Sequence, residues 1–264
     1  MPYRPLSLAA LTAGAFALSA ATPNQHANVT SRYKIEQVST QDIDATAAGG
    51  PKTSSTTKLT SFVSITLGDT TGGHTLKAVV DSINADSGSV LPKPMLDSLK
   101  GSVFNAFVGP NGRVTNVKST TQNPAGAQVI GLLTELYPRT RPGMKTGDAW
   151  TDTTENANNL PNGSMNVRTV TNYKASGNEP HEGIKAAKID AAFSSSMAGS
   201  QETPGGTANI EGTGSGTATY FVAPDGRYLG GTRSLTSALS VTGAFAPQPI
   251  PVNLKQTTTI TPIK

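Results

Sequence analysis

The last stretch of the chain alternates: Val252, Leu254 and Ile260 fall on one side, Asn253, Lys255, Thr257 and Thr259 on the other. An apolar residue at every second position fits a pleated strand with one buried and one wet face, and fits no helix. The same period returns in Leu235, Leu239 and Val241 against Ser234, Thr236, Ala238 and Ser240. It returns again in Leu59, Val63, Ile65 and Leu67 against Lys58, Thr60, Ser64 and Thr66. Such a chain folds into antiparallel sheet with one side covered. Its 36 threonines and 24 serines suit the wet side, because a side chain branched at Cβ favours strands.

Three turns share one signature: Pro110-Asn111-Gly112, Pro161-Asn162-Gly163 and Pro224-Asp225-Gly226. Proline pre-sets φ, the Asx residue tolerates the next position, and glycine takes the left-handed one that closes a hairpin. Strand patterns flank the first, at residues 103–108 and 113–118, and the third, at 217–222 and 227–241. The run Phe107 to Arg113 also recurs as Phe221 to Arg227, each copy preceded by a Lys-Ala strand, at Leu76-Lys77-Ala78 and Ile184-Lys185-Ala186. This order predicts two degenerate halves, about 33–145 and 146–264, inside one β-rich domain spanning 22–264.

Two helices interrupt the strands. Asn123 caps the stronger, Pro124 opens it, and Pro138 forbids continuation beyond Tyr137. Val129, Leu132, Leu133 and Leu136 form its apolar stripe. A shorter helix is expected over Pro94 to Lys100, ending at Gly101. The polar stretches Gln41 to Thr57 and Ser194 to Gly216 read as loops. The expected fold is a mainly β, curved antiparallel half-barrel of about eleven strands with one or two helices on its concave face. A β-sandwich is the alternative.

Arg4 followed by the apolar run Leu6 to Leu18 and the small residues Ser19-Ala20-Ala21 has the form of a signal peptide over residues 1–21, cleaved near 20–22. The run is shorter than the roughly 20 apolar residues that span a bilayer, and no later segment is longer. The expectation is a periplasmic or secreted protein without a transmembrane segment. With no cysteine, it has no disulfide, thiolate metal site or thioether lipid anchor. The formal net charge of +4 is scattered and only 5% of residues are aromatic, so nucleic acid is not an expected partner.

Tyr33-Lys34-Ile35, Leu99 to Phe104 with the hairpin after it, and Leu136-Tyr137-Pro138 through Lys145-Thr146-Gly147-Asp148-Ala149-Trp150 follow one another in a recognisable order. In this order they resemble a family of uncharacterised exported bacterial proteins, itself similar in outline to the half-barrels of periplasmic lipoprotein carriers. The resemblance covers most of residues 33–150. It implies a fold and a compartment, and it brings no catalytic residues.

Chemistry is thinly represented. His26, His74 and His181 stand in expected solvated turns or at the terminus. His181-Glu182 lacks the second histidine of a zinc-protease helix. No Gly-x-Ser-x-Gly elbow occurs, and Gly212-Thr213-Gly214-Ser215-Gly216 lacks the Lys-Ser/Thr of a phosphate loop. Asp42 with Asp44, and Glu179 with Glu182, fall short of a calcium loop. Neither cofactor, metal nor enzymatic activity is expected. A curved sheet under a helix suits an apolar ligand such as a lipid, with a filled structural or protein-interaction module as the alternative. The candidate lining residues are Trp150, Val129, Leu132, Leu133, Leu136 and Tyr137, with Trp150 also read as a core anchor and Asp148 as a strand-entry turn residue.

Overall fold

The computed structural model describes residues 29–263 apart from 87–91, 121–125, 142, 161, 225 and 245; the signal-like segment and His26 lie outside the described residues. Eleven strands make one sheet. They are β1 (Val29–Asp44), β2 (Lys52–Thr70), β3 (Gly73–Ala85), β4 (Val103–Val108), β5 (Val114–Ser119) and β6 (Ala149–Leu160), then β7 (Gly163–His181), β8 (Ile184–Thr203), β9 (Gly206–Val222), β10 (Tyr228–Gly243) and β11 (Ala246–Ile263). Their order is β5-β4-β3-β2-β1-β11-β10-β9-β8-β7-β6, antiparallel throughout. Two meanders, β1 to β5 and β6 to β11, are therefore sewn together by β1 against β11, and β5 and β6 remain as open edges. The fold is the curved half-barrel expected, not a sandwich.

Curvature follows from what must be covered. Eleven strands laid flat would span about 50 Å, far more than a ten-residue helix can shield. Here one apolar cluster joins Tyr33, Ile65, Leu76, Phe104 and Val114 of the first meander to Tyr173, Ile189, Tyr220, Tyr228 and Ile260 of the second. Val129 and Leu133 of helix α2 (Gly126–Glu135), with Leu136 and Tyr137 after it, sit in the same cluster. Leu96 of helix α1 (Lys93–Asp97) and Leu99 beyond it close the side near β3. Irregular register between Tyr228 and Gly231, and between Ala175 and Gly177, bends the long strands. At Gly230, φ is 88° and a Cβ would strike the carbonyl oxygen of Ile260, so no other residue fits that bend.

The turn signature works as read at Gly112 and Gly226, whereas Gly163 opens β7 without a left-handed φ. Gly112 has φ of 71°, Gly109 N donates to Arg113 O at 2.9 Å, and Arg113 N donates to Asn111 Oδ1 at 3.2 Å. The Pro224 turn is closed likewise by Ala223 N donating to Arg227 O at 2.8 Å. The two polar stretches differ from expectation. Ser194 to Gly216 is the β8–β9 hairpin, and Gln41 to Thr57 is the end of β1, a single 3-10 turn at Thr46–Ala48, and the start of β2. Small residues on both faces conceal the strand period there. Both helices are also shorter than read, α1 giving way to turns after Asp97 and α2 ending two residues before Tyr137.

Leu133 is fully buried between the sheet halves. Leu133→Ala should cost about 2–5 kcal/mol and lower Tm by roughly 5–20 °C, and Leu133→Asp should leave no cooperative transition at ambient temperature. Thermal unfolding followed by circular dichroism checks both; a Leu133→Asp Tm within a degree or two of the parent would mean α2 is not packed.

Candidate functional site

The hollow of the half-barrel is banded, and the register of β7 to β11 shows how. The band under α2 is made of rings. All five tyrosines of the described residues are buried in it, with Tyr228 at the hub, 5.9 Å from Tyr33, 5.6 Å from Tyr137 and 6.4 Å from Tyr220 between ring centroids. Tyr33 donates its hydroxyl to the carbonyl of Tyr228 at 3.1 Å. Burial pushes the phenol of Tyr33 up from 10.0 to about 12, and raises Tyr137, Tyr173, Tyr220 and Tyr228 well above the ordinary range.

One step further from α2, Thr171, Phe193, Gly216, Leu235 and Gln256 pair across the strands. Phe193 lies across Gly216, where a Cβ would come within 2.5 Å of its Cζ. The guanidinium of Arg233 stands 4.6 Å from the Phe193 ring centroid and is held by Glu135, at the end of α2, at 2.7 Å. This charged pair is the polar tie between helix and sheet. The next band is small and hydroxylated: Thr169, Ser195, Gly214 and Ser237 are paired in sequence, and the hydroxyls of Thr169 and Ser195 are buried without a hydrogen-bond partner. Beyond it a second apolar cluster, with Met165, Val167, Met197, Ile210, Leu239 and Val252, is covered by Ile43, Ala45 and Ala48 at the 3-10 turn. Two oily zones are thus separated by a belt of small polar groups.

The residues singled out from sequence divide between these zones. Val129, Leu133, Leu136 and Tyr137 are buried in the core under the sheet, and Leu132 is partly buried against it. Trp150 stacks on Tyr173 at 5.4 Å and also lines an open cleft of about 510 Å³ at the edge of the sheet. Asp148 is a strand-entry residue, accepting from Lys145 N at 2.9 Å. The histidines correct the expectation of solvated turns. His74 is buried within β3 with Nδ1 3.0 Å from Asp69 Oδ1, and His181 stacks on Phe221 at 3.8 Å with Nε2 3.0 Å from Leu229 O. Each closes a strand end, which a turn-flanking position in sequence does not distinguish from exposure. Asp42 accepts from Ser54, and Asp44 is held down to about 2 by Lys52 and Thr46. Among the described residues no group of three or more His, Asp or Glu could hold a metal ion. The belt and its Arg233–Glu135 tie went unread, although the period that placed Leu235 and Leu239 inward also places Arg233 and Ser237 there.

The convex face is covered by hydroxyls in register: Ser194 and Ser215, Thr217 and Ser234, Thr219 and Thr232, Thr232 and Thr259. A lipid-facing barrel presents an apolar outward band instead. No helix among the described residues is long and apolar enough to cross a membrane. No family model and no curated protein matches this chain. Among solved structures, DynF from the dynemicin biosynthesis pathway of Micromonospora chersina is 8% identical, covering 99% of this chain and 92% of its own, with a TM-score of 0.26. The outer membrane protein opdK from Pseudomonas aeruginosa is 6% identical, covering 89% and 99%, with a TM-score of 0.26. A loop-deleted OmpT from Vibrio cholerae is 7% identical, covering 89% and 100%, with a TM-score of 0.19. At such scores none of them bears on what this chain does.

The tyrosine band generates a pH test. The unfolded chain ionises its phenols near 10.0, whereas the native one holds Tyr33 neutral to about 12. The stability that this provides is complete below pH 10 and is lost as pH rises through about 12. Tyrosinate absorbance of the five core rings should therefore appear together with loss of near-UV circular dichroism. Stepwise ionisation near pH 10 in a still-folded protein would contradict the packing.

Proposed function

We propose that this is an exported envelope protein that holds an apolar molecule, such as a lipid, in the hollow of its half-barrel. The observation that carries the reading is the belt of Thr169, Ser195, Gly214 and Ser237 between two apolar clusters. A core filled by protein alone would carry apolar side chains at Thr169, Ser195 and Ser237, since interiors pack to crystal-like density. Gly214 makes room for the two serine side chains beside it. Small side chains with unpartnered hydroxyls suit an interior shared with a guest of apolar body and few polar atoms, or with water. Export is supported by the signal-like first 21 residues. The role is one of holding and carrying, with no reaction assigned to it.

A structural or protein-interaction module is the second reading, favoured by the ring band, where Tyr33, Tyr137, Tyr220 and Tyr228 fill the space beneath α2.

Native mass spectrometry of the full chain, purified from its own envelope without detergent, separates the two. The carrier reading expects a bound mass that organic extraction removes and that lowers Tm when removed. A single unliganded mass with a Tm indifferent to added lipid would favour the module. The same spectrum tests export: the mature chain should begin near residues 21–23, and deletion of residues 1–21 should retain the protein in the cytoplasm.

A further inference from the structure

Among the described residues no strand pairs with the outer side of edge strand β6; the segment after α2 lies beside it, with Arg139 against Asp152. Arg139 and Thr140 of that segment are each only 3% exposed, yet both line the 510 Å³ cleft together with Asn111, Arg141, Trp150 and Asp152. The cleft lining carries two guanidinium groups, Arg139 and Arg141, and two carboxylates, Asp148 and Asp152. Arg139 Nη1 lies 2.8 Å from Asp152 Oδ2, a contact that is close but not a well-directed hydrogen bond, and the Tyr173 hydroxyl is the other polar group beside the guanidinium, equally short of a well-directed bond. The Trp150 indole N–H and the Thr140 hydroxyl are likewise buried without a partner. Of the other acceptors, Asn111 Oδ1 takes Arg113 N, and Asp148 Oδ2 takes Lys145 N. Unmade hydrogen bonds at a buried guanidinium are costly, and a two-oxygen anion is what its planar fork fits best. The inner wall is the Trp150–Tyr173 stack, and Tyr173 belongs to the core cluster of the hollow.

We propose that the seam cleft binds an oxyanion, a carboxylate or phosphate, through Arg139, Thr140 and the Trp150 N–H, serving as the head-group site for an amphiphile whose tail enters the hollow. The head-group assignment rests on the carrier reading; the oxyanion site does not. Burial lowers the pKa of Arg139, opposed by Asp152 and the Tyr173 hydroxyl, with Arg113 adding like charge.

Trp150 is the only tryptophan, so intrinsic emission of the full chain reports directly on the cleft. Titration below micelle formation would use decanoate and decyl phosphate, with acetate, inorganic phosphate, decanol and decylammonium as separate arms. The proposal expects saturable change with decanoate or decyl phosphate, and affinity at least about tenfold weaker in Arg139→Lys, with decanol binding unchanged. Thr140→Val, which removes one donor at nearly constant volume, should weaken anion binding several-fold and serves if Arg139→Lys does not fold. Acetate or phosphate binding as tightly as the ten-carbon acids would uphold the oxyanion site and remove its link to the hollow. Decanol binding as tightly as decanoate, with both substitutions silent, would overturn the oxyanion site and leave the carrier reading standing. Preference for decylammonium would overturn it too. No binding in any arm would sink both.

Discussion

Strand β1 pairs with β11 over twelve residues, from Arg32 opposite Ile263 to Ile43 opposite Val252. Without that ladder each meander would expose a whole apolar face to water, since neither has a second layer of its own. With it the two faces become one concave surface, and a single helix suffices to cover the part nearest α2. The long reach of the contacts reflects this: Tyr33 and Tyr228 are 195 positions apart and share a hydrogen bond. Loop entropy must be overcome before such pairings stabilise anything, so the seam is expected to form late in folding, after the local hairpins.

The helix then decides how the interior is divided. Leu133 and Leu136 supply its apolar contact, and Glu135 on the same turn supplies a charge that reaches Arg233 of β10. A buried Arg–carboxylate pair is a weak source of net stability compared with apolar packing, but it fixes the helix at one height and rotation against the sheet. Phe193 beneath the guanidinium strengthens that fixation. Below the pair the side chains become small, and the second apolar cluster is left to the 3-10 turn between β1 and β2. The interior is therefore two large apolar cores separated by a band of small, buried side chains.

Much of this architecture was legible. Wherever large apolar residues alternate with Thr or Ser, as in β2, β10 and β11, the strand and its inward face were plain, and Pro-Asx-Gly located the hairpins at Gly112 and Gly226, where glycine takes the left-handed position. Legibility failed where inward residues are small. In β9, Gly212, Gly214 and Gly216 alternate with Thr213, Ser215 and Thr217, a perfect two-residue period that hydropathy does not register because neither face is oily. The signal was steric: glycine at every second position leaves room for Phe193, Ser195, Ser237 and Leu239 from the flanking strands. Arg139 was hidden for another reason. Pro138 marks only the end of the helix, and nothing in the hydropathy pattern signals that the open edge of β6 draws Arg139 inward.

That edge is the consequence of stopping at half a barrel. A closed barrel has none, whereas an open sheet must guard both ends against pairing with another chain. Strand β5 is guarded by being six residues long; β6, at twelve, needs a cover. The chain lays residues 137–141 beside it and ties them on with Arg139 to Asp152. Covering an edge with a charged side chain instead of another strand leaves donors that no backbone ladder uses. An aromatic wall and a buried guanidinium then face one cleft, because the sheet was left open and its edge had to be protected by something other than pairing.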